Sequence, residues 1–301
     1  MQASGERRPV GVSHAVWGTI LTGISALGFS TLPIFGMMAY GAGGNVITLL
    51  GYRFLLAAAV LWAYIAWTRQ RLPDLRTALG LLLMGGAGYT TMSALYLSSV
   101  EGERLSPAIA ALLLYTYPAI VTLLAWRFDG YRMTGRQTAA LRGTLAGAAL
   151  VLAGPGGAVR FTWVGAGLAL AAALVYGTYI LFGSRVSRRT TPLVTTAFVS
   201  TAAAGVLLLY GAVAGELRPM QPAGWMAVLG AALLATVVAV LLFFAGIERL
   251  GPSRASIIST LEPVGTAALA AMLYGERLGS WQLLGGAIVL ASIIWLQWRS
   301  E

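Results

Sequence analysis

The chain has 301 residues, 58% of them hydrophobic and 10% charged. A soluble domain carries about 25% charged residues, and hydropathy is high here along the whole length, so neither a soluble enzyme nor a soluble domain with a single anchor fits. The net charge of +10 comes from arginine alone; these arginines lie in short connections between apolar runs, which is a topology signal rather than a nucleic-acid surface.

In chain order, the first residues, MQASGERRPVGVSHAV, are polar and basic. Twin arginines before an apolar run suggest a secretory signal, but the run Ala15–Tyr40 is too long for a signal core and has no clear cleavage site, so it reads as a retained transmembrane helix. His14 is the only histidine and lies at the start of that run, which suits an interfacial position. Ten apolar segments follow one another, near 15–40, 46–68, 75–98, 106–126, 138–154, 163–184, 192–214, 223–247, 253–274 and 280–298. Their continuous apolar character excludes the alternating strands of a membrane β-barrel. Tryptophans such as Trp67, Trp126, Trp225 and Trp281 gather near segment ends, as an interfacial belt. With ten spans both termini share one side, and fifteen arginines fall there against four (Arg104, Arg160, Arg218, Arg277) on the other. The positive-inside rule then puts both termini in the cytoplasm.

The sequence repeats itself. Glu103-Arg104-Leu105-Ser106-Pro107 returns as Glu248-Arg249-Leu250-Gly251-Pro252, Pro118 as Pro263, and Gly130-Tyr131-Arg132 as Gly275-Glu276-Arg277, all at an offset of 145. Earlier, Ala26-Leu27…Phe35-Gly36 matches Ala173-Leu174…Phe182-Gly183 at 147. A tail over 1–14 thus precedes two repeats, 15–154 and 155–301, each of five spans. An odd number of spans inverts the second repeat relative to the first, a transporter construction with its site near the midplane. The expected fold class is an all-α integral membrane protein with ten transmembrane helices in two inverted-topology five-helix repeats.

Two charges fall inside the spans. Glu262, beside Pro263, lies about 15 Å deep by helical rise; such an acid couples protons, accepts a substrate ammonium, or braces the groups that the proline frees. Arg53 lies about 12 Å deep from the other side; pairing with Glu262, bonding carbonyls between helices, and holding a substrate carboxylate all remain open. Ser256, Ser259 and Glu262 recur at intervals of three, giving one helix a polar stripe.

Two five-helix halves, Leu261-Glu262-Pro263 in the penultimate segment, Gly275-Glu276-Arg277-Leu278 after it, Arg53-Phe54 in the second segment and Phe29 in the first resemble the EamA-type drug/metabolite transporter superfamily. Across its length the chain is most similar to the superfamily's bacterial aromatic amino acid exporters. That resemblance implies an inner-membrane carrier, with helices 1, 3, 4, 6, 8 and 9 around a central cavity. The first half departs from the pattern: Tyr117-Pro118 stands where the second half has Glu262-Pro263, so the acid is present once. Candidate substrate-binding residues are Tyr89, Tyr117, Tyr176 and Tyr179, whose rings carry a polar end, with Trp17, Trp163, Ser256, Thr260 and Glu262. The partners are a small solute and the bilayer, and Gly143, Gly147, Gly285 and Gly286 suit close packing within one chain or in a homodimer. No cofactor or metal is expected, given zero cysteines, one histidine and no Walker lysine, and no catalytic arrangement supports an enzyme. Efflux of another metabolite or a cationic drug is the alternative, with a channel-like or scaffolding protein as the rival from another class.

Overall fold

The computed structural model describes residues 12–128, 134–153, 160–187, 190–250, 258–259 and 261–297. Among them the chain is helical, with no strand beyond an isolated antiparallel bridge between Leu105 and Phe161. The helices are α1 (Val12–Ser30), α2 (Leu32–Gly41), α3 (Val46–Thr68), α4 (Leu75–Leu83), α5 (Thr90–Val100), α6 (Pro107–Leu114), α7 (Tyr117–Phe128), α8 (Gly135–Ala153), α9 (Trp163–Ser187), α10 (Pro192–Ala214), α11 (Pro222–Ala232), α12 (Ala239–Leu250), α13 (Leu261–Tyr274) and α14 (Ser280–Gln297). Seven stretches are long and apolar enough to cross a membrane: 16–41, 46–68, 75–103, 107–128, 163–181, 192–214 and 222–243. Shorter apolar helices cover 138–151, 261–274 and 280–295. Helix is the form such runs adopt in lipid, because it satisfies each backbone polar group within the segment. Their ends follow ordinary capping chemistry. The Asn45 side chain accepts from Thr48 N at 2.9 Å, Thr191 does the same for Val194 N, and prolines open α6, α10 and α11.

Several spans are interrupted where the sequence places prolines or threonines. Span 16–41 breaks at Thr31, two residues before Pro33, and the Thr31 hydroxyl donates to Gly28 O at 2.6 Å. Residues 84–89 and 233–238 form π turns in corresponding places of the two halves. A buried threonine follows the first and another lies within the second, each with its hydroxyl donating five residues back, Thr90 to Gly85 O at 2.7 Å and Thr236 to Ala231 O at 2.9 Å. Span 107–128 breaks at Tyr115-Thr116, just before Pro118, and α13 starts two residues before Pro263.

The packing has the pattern of a duplicated molecule. α1 lies against α12, and its counterpart α9 lies against α5. Three further pairs, α3 with α10, α6 with α13 and α8 with α14, each join an element of the first half to its own counterpart in the second, while α7 with α9, α2 with α11 and α1 with α13 join unlike elements. The α8–α14 seam settles what the glycines are for: a Cβ on Gly147 would sit 2.7 Å from Gly285 O, and one on Gly285 would sit 2.6 Å from Gly147 O, so both serve contact within the chain.

Connections gather at one end of the bundle. Asn45 Nδ2 donates to Glu216 O at 2.9 Å, Val46 N to Glu101 Oε1 at 3.2 Å, and Gln221 N to Ala42 O at 3.0 Å. Arg160 meets Glu103 at 2.6 Å, beside the Leu105–Phe161 bridge. Ser106 Oγ donates to Glu276 Oε2 at 2.5 Å, tying the start of α6 to the residues after α13. The corresponding sequence positions at the other end, Gly251 and Tyr131, together with the rest of Asp129–Tyr131 and with Pro252, lie outside the described residues, as does the side chain of His14.

Candidate functional site

A cavity of about 90 Å³ opens where the two halves meet. Its walls are largely tyrosine. Tyr89, at the end of the first π turn, Tyr117 at the start of α7, and Tyr176 on α9 all line it, as does Glu262 in the first turn of α13. The rings form a continuous row. Phe54 lies 5.6 Å from Tyr89, Tyr89 lies 5.7 Å from Tyr179, and Tyr179 stacks on Tyr176 at 6.1 Å with planes 16° apart. Tyr176 meets Tyr117 edge-on at 4.7 Å, and Tyr117 meets Tyr115 at 5.8 Å. Tyr179 therefore supports the wall from behind without lining it.

Trp17 and Trp163 are not part of this wall. They sit near the starts of α1 and α9 and are 57% and 70% exposed, as aromatic residues at span ends are when they face the bilayer interface. Ser256 and Thr260 lie outside the described residues. Phe29, Met92, Ser93 and Tyr96 complete much of the lining. Tyr96 and Met92 are one helical turn apart on α5, and Met92 follows Tyr89 by three, so a single face of the third span supplies them.

The acid is organised by Pro263. Proline has no N–H for the carbonyl four residues earlier, here Ser259. The Tyr115 hydroxyl takes that place, donating to Ser259 O at 2.6 Å, and it also lies 2.9 Å from Glu262 Oε2. A hydroxyl has one proton and two acceptor lone pairs. Its one proton is offered to two acceptors, Ser259 O and Glu262 Oε2. The proline rule thus explains why Tyr115 stands beside the acid. No ion pair joins Glu262 to a basic side chain among the described residues. Arg53 instead donates from Nε to Thr236 Oγ1 at 2.9 Å, at the second π turn. The expected alternative of an Arg53–Glu262 pair is therefore not what the bundle forms. The helix that carries Glu262 is fixed to α1, where Thr266 Oγ1 donates to Ser30 O at 3.2 Å and Gly265 packs against Ser30.

A polytopic helical bundle with a ring-lined cavity between two related halves is the architecture of a membrane carrier. The chain belongs to the EamA-like transporter family, which matches it twice, over residues 16–153 and 163–298. It is 27% identical over 298 residues to the uncharacterized transporter YcbK of Bacillus subtilis, covering 96% of this chain and 95% of that one. It is 28% identical over 292 residues, again 96% and 95%, to a protein of Streptantibioticus cattleyicolor named as a probable terminal-alkyne amino-acid exporter. The uncharacterized inner membrane transporter YedA of Escherichia coli K12 is 28% identical over 259 residues, covering 82% of this chain and 80% of its own. A solved crystal structure superposes over 92% of this chain and 95% of its own with a TM-score of 0.64 at 19% identity, a likeness of fold.

Proposed function

We propose that this transporter is a secondary carrier that exports aromatic amino acids and similar small organic solutes across the bacterial inner membrane, by alternating access between two inverted five-helix halves, residues 15–154 and 155–301. The observation that carries this reading is the row of tyrosine rings ending at Glu262 in the cavity between the halves. Rings offer flat apolar faces to a substrate ring, and an acid offers a partner for its ammonium. The pairing of α1 with α12 and of α5 with α9, and the two π turns at matching places, support a two-fold related pair of halves. Ten spans then follow if the three shorter helices also cross, with the arginine-rich end and both termini cytoplasmic. The Streptantibioticus relative, matched over 96% of this chain, bears a name that points to amino-acid export. A cavity of about 90 Å³ is smaller than the roughly 300–1,000 Å³ of a site that encloses a drug-sized ligand, so loading requires the walls to part, as alternating access does.

Counterflow in proteoliposomes tests the reading. Vesicles loaded with unlabelled phenylalanine, tyrosine or tryptophan are expected to accumulate the labelled amino acid transiently. Exchange of other metabolites or of organic cations, with none of the three aromatic amino acids moving, would overturn the substrate class. Cations are the specific rival because tyrosine faces also hold flat cations.

The tie between Ser106 and Glu276 at the end assigned to the outside gives a second expectation. Glu276→Gln weakens a charge-assisted hydrogen bond between α6 and the turn after α13. Since the chain has no cysteine, Ser93→Cys places a unique probe in the cavity wall. A membrane-impermeant maleimide added outside is expected to label it several-fold faster when Glu276→Gln is also present. An unchanged or slower rate would show that this tie does not hold the outer end closed.

A further inference from the structure

Arg53 is the only charged side chain that is fully buried among the described residues, at 1% exposure. It lies behind the cavity lining rather than in it. Its partners come from two places far apart in the chain. Nε donates to Thr236 Oγ1 at 2.9 Å, inside the second π turn. The guanidinium also donates to the hydroxyl of Tyr89, the last residue of the first π turn. Its carbon lies 4.5 Å over the Phe54 ring, which packs 5.6 Å from the ring of Tyr89. A guanidinium presents its donors in a rigid planar fork, so one side chain can hold two partners at a fixed separation. Nη1 has no partner. A buried cation with a donor left over costs more than an apolar residue of similar size, so packing alone does not account for an arginine here.

Each partner bears on a wall of the cavity. Tyr89 is itself part of the lining. The Thr236 hydroxyl carries the contact into its own helix by donating to Ala231 O at 2.9 Å. That second π turn presses on α1: a Cβ on Gly28 would stand 3.0 Å from Leu234 O, and Ser25 Oγ donates to Ala239 O at 2.6 Å. Phe29, the residue after Gly28, lines the cavity. The helices around the cavity form two related units, α1 with α12 and α5 with α9. One π turn opens α12 and the other opens α5, so each unit contains one, and Arg53 touches both. The duplication supplies no second copy of this contact. The residue 145 positions after Arg53 is Phe198, which packs on Trp62.

We propose that Arg53 is a positioning residue that clasps the α1–α12 unit to the α5–α9 unit through their π turns, and that the cavity widens only when its bond to Tyr89 is released. This rests on alternating access as the mode of action and on no choice of solute. It gives the buried cation a task that neither unit performs alone. It also explains why its two acceptors are hydroxyls of the cavity helices: a neutral acceptor is given up more readily than a buried carboxylate.

The test is a double-mutant cycle read by chemistry in the cavity wall. Ser93→Cys puts a single thiol in the lining, one helical turn after Tyr89. Tyr89→Phe keeps the ring and removes the acceptor, and Arg53→Gln removes the fork. In this background each is expected to speed labelling by a small membrane-permeant maleimide about fivefold, and the two together are expected to be no faster than either alone. Independent effects would instead multiply to roughly 25-fold. Thr236→Val releases the other end of the clasp and is expected to show the same non-additivity with Tyr89→Phe. That pair leaves the arginine in place and decides the matter even if Arg53→Gln does not fold. Labelling that is unchanged in the single variants, or effects that multiply, would overturn the proposal; a brace that only stabilises the bundle would lower the melting temperature without this coupling. Failure of all three aromatic amino acids in counterflow would remove the substrate reading and leave this test as it stands.

Discussion

Gly85→Ala is expected to destabilise the purified protein by about 3 kcal/mol, the upper part of the usual overpacking range, whereas the neighbouring Gly86→Ala changes little. Gly85 lies in the π turn of the third span, pressed against α10. A Cβ there would stand 2.6 Å from Val199 Cα and 2.9 Å from Val199 C, and backbone cannot swing aside. At Gly86 the nearest atom is Val206 Cγ2 at 3.3 Å, a side-chain methyl that can yield. Thermal unfolding in detergent reads the difference, and equal shifts for the two variants would refute the close approach. The contact matters beyond stability. Tyr89 ends the same π turn, and Gly88 lets the Tyr179 ring come within 3.0 Å of where its Cβ would be. Moving the third span off α10 therefore moves two members of the ring row, so Gly85→Ala should also reduce transport by the protein that does fold.

The second large effect concerns the acid, and it separates two roles that the sequence leaves entangled. Tyr115→Phe removes the hydroxyl that donates to Ser259 O and contacts Glu262 Oε2, and a net hydrogen bond is worth about 0.5–1.5 kcal/mol. Loss of stability is the expected result. Glu262→Gln should leave stability nearly intact, because a glutamine amide oxygen can accept from the Tyr115 hydroxyl as the carboxylate does. Its transport should nonetheless fall at least tenfold, and what remains should not respond to a pH gradient. The reason is charge: a substrate ammonium pairs with a carboxylate, and an amide offers it neither the charge nor a proton to exchange. Tyr96, Tyr115, Tyr117 and Tyr176 surround the same carboxyl group, and none supplies a counter-charge. Transport by Glu262→Gln at wild-type rates, or with an unchanged response to a pH gradient, would show that the carboxyl group only braces α13.

Much of this was written in the chain. The constant offset of 145 between proline-bearing segments is realised as paired helices and as a helix break next to Pro118. Tyr89, Tyr117, Tyr176 and Glu262 share one cavity because each falls near the middle of a span that a duplicated bundle turns inward. The two π turns were not legible. Gly85-Gly86-Ala87-Gly88 and Leu233-Leu234-Ala235-Thr236 have little in common, and a π turn depends on a neighbouring helix accepting the bulge, which is a tertiary condition. Trp17 and Trp163 show the limit of symmetry as a guide: they occupy equivalent positions at the openings of two cavity helices, yet an opening lies at the interface, where tryptophan faces lipid. The partner of Arg53 was equally hidden, because Thr236 is 183 residues away and is brought to it only by α3 packing beside the second π turn.

The hydrogen-bonded end that joins Ser106 to Glu276 and Asn45 to Glu216 has a thermodynamic consequence of its own. This tie, whose two members stand opposite Gly251 and Tyr131 in the repeat, weights the empty carrier toward the orientation in which it is made. Such a preference cannot drive net movement, because at equal concentrations an uncoupled carrier has zero net flux however its resting states are weighted. What the tie sets is the ratio of half-saturation constants measured from the two faces. Maximal rates must then differ in the same ratio, so that the quotient of rate and half-saturation is equal from either side. Direction belongs to the gradients, and the tie decides only at which substrate concentrations the carrier responds to them.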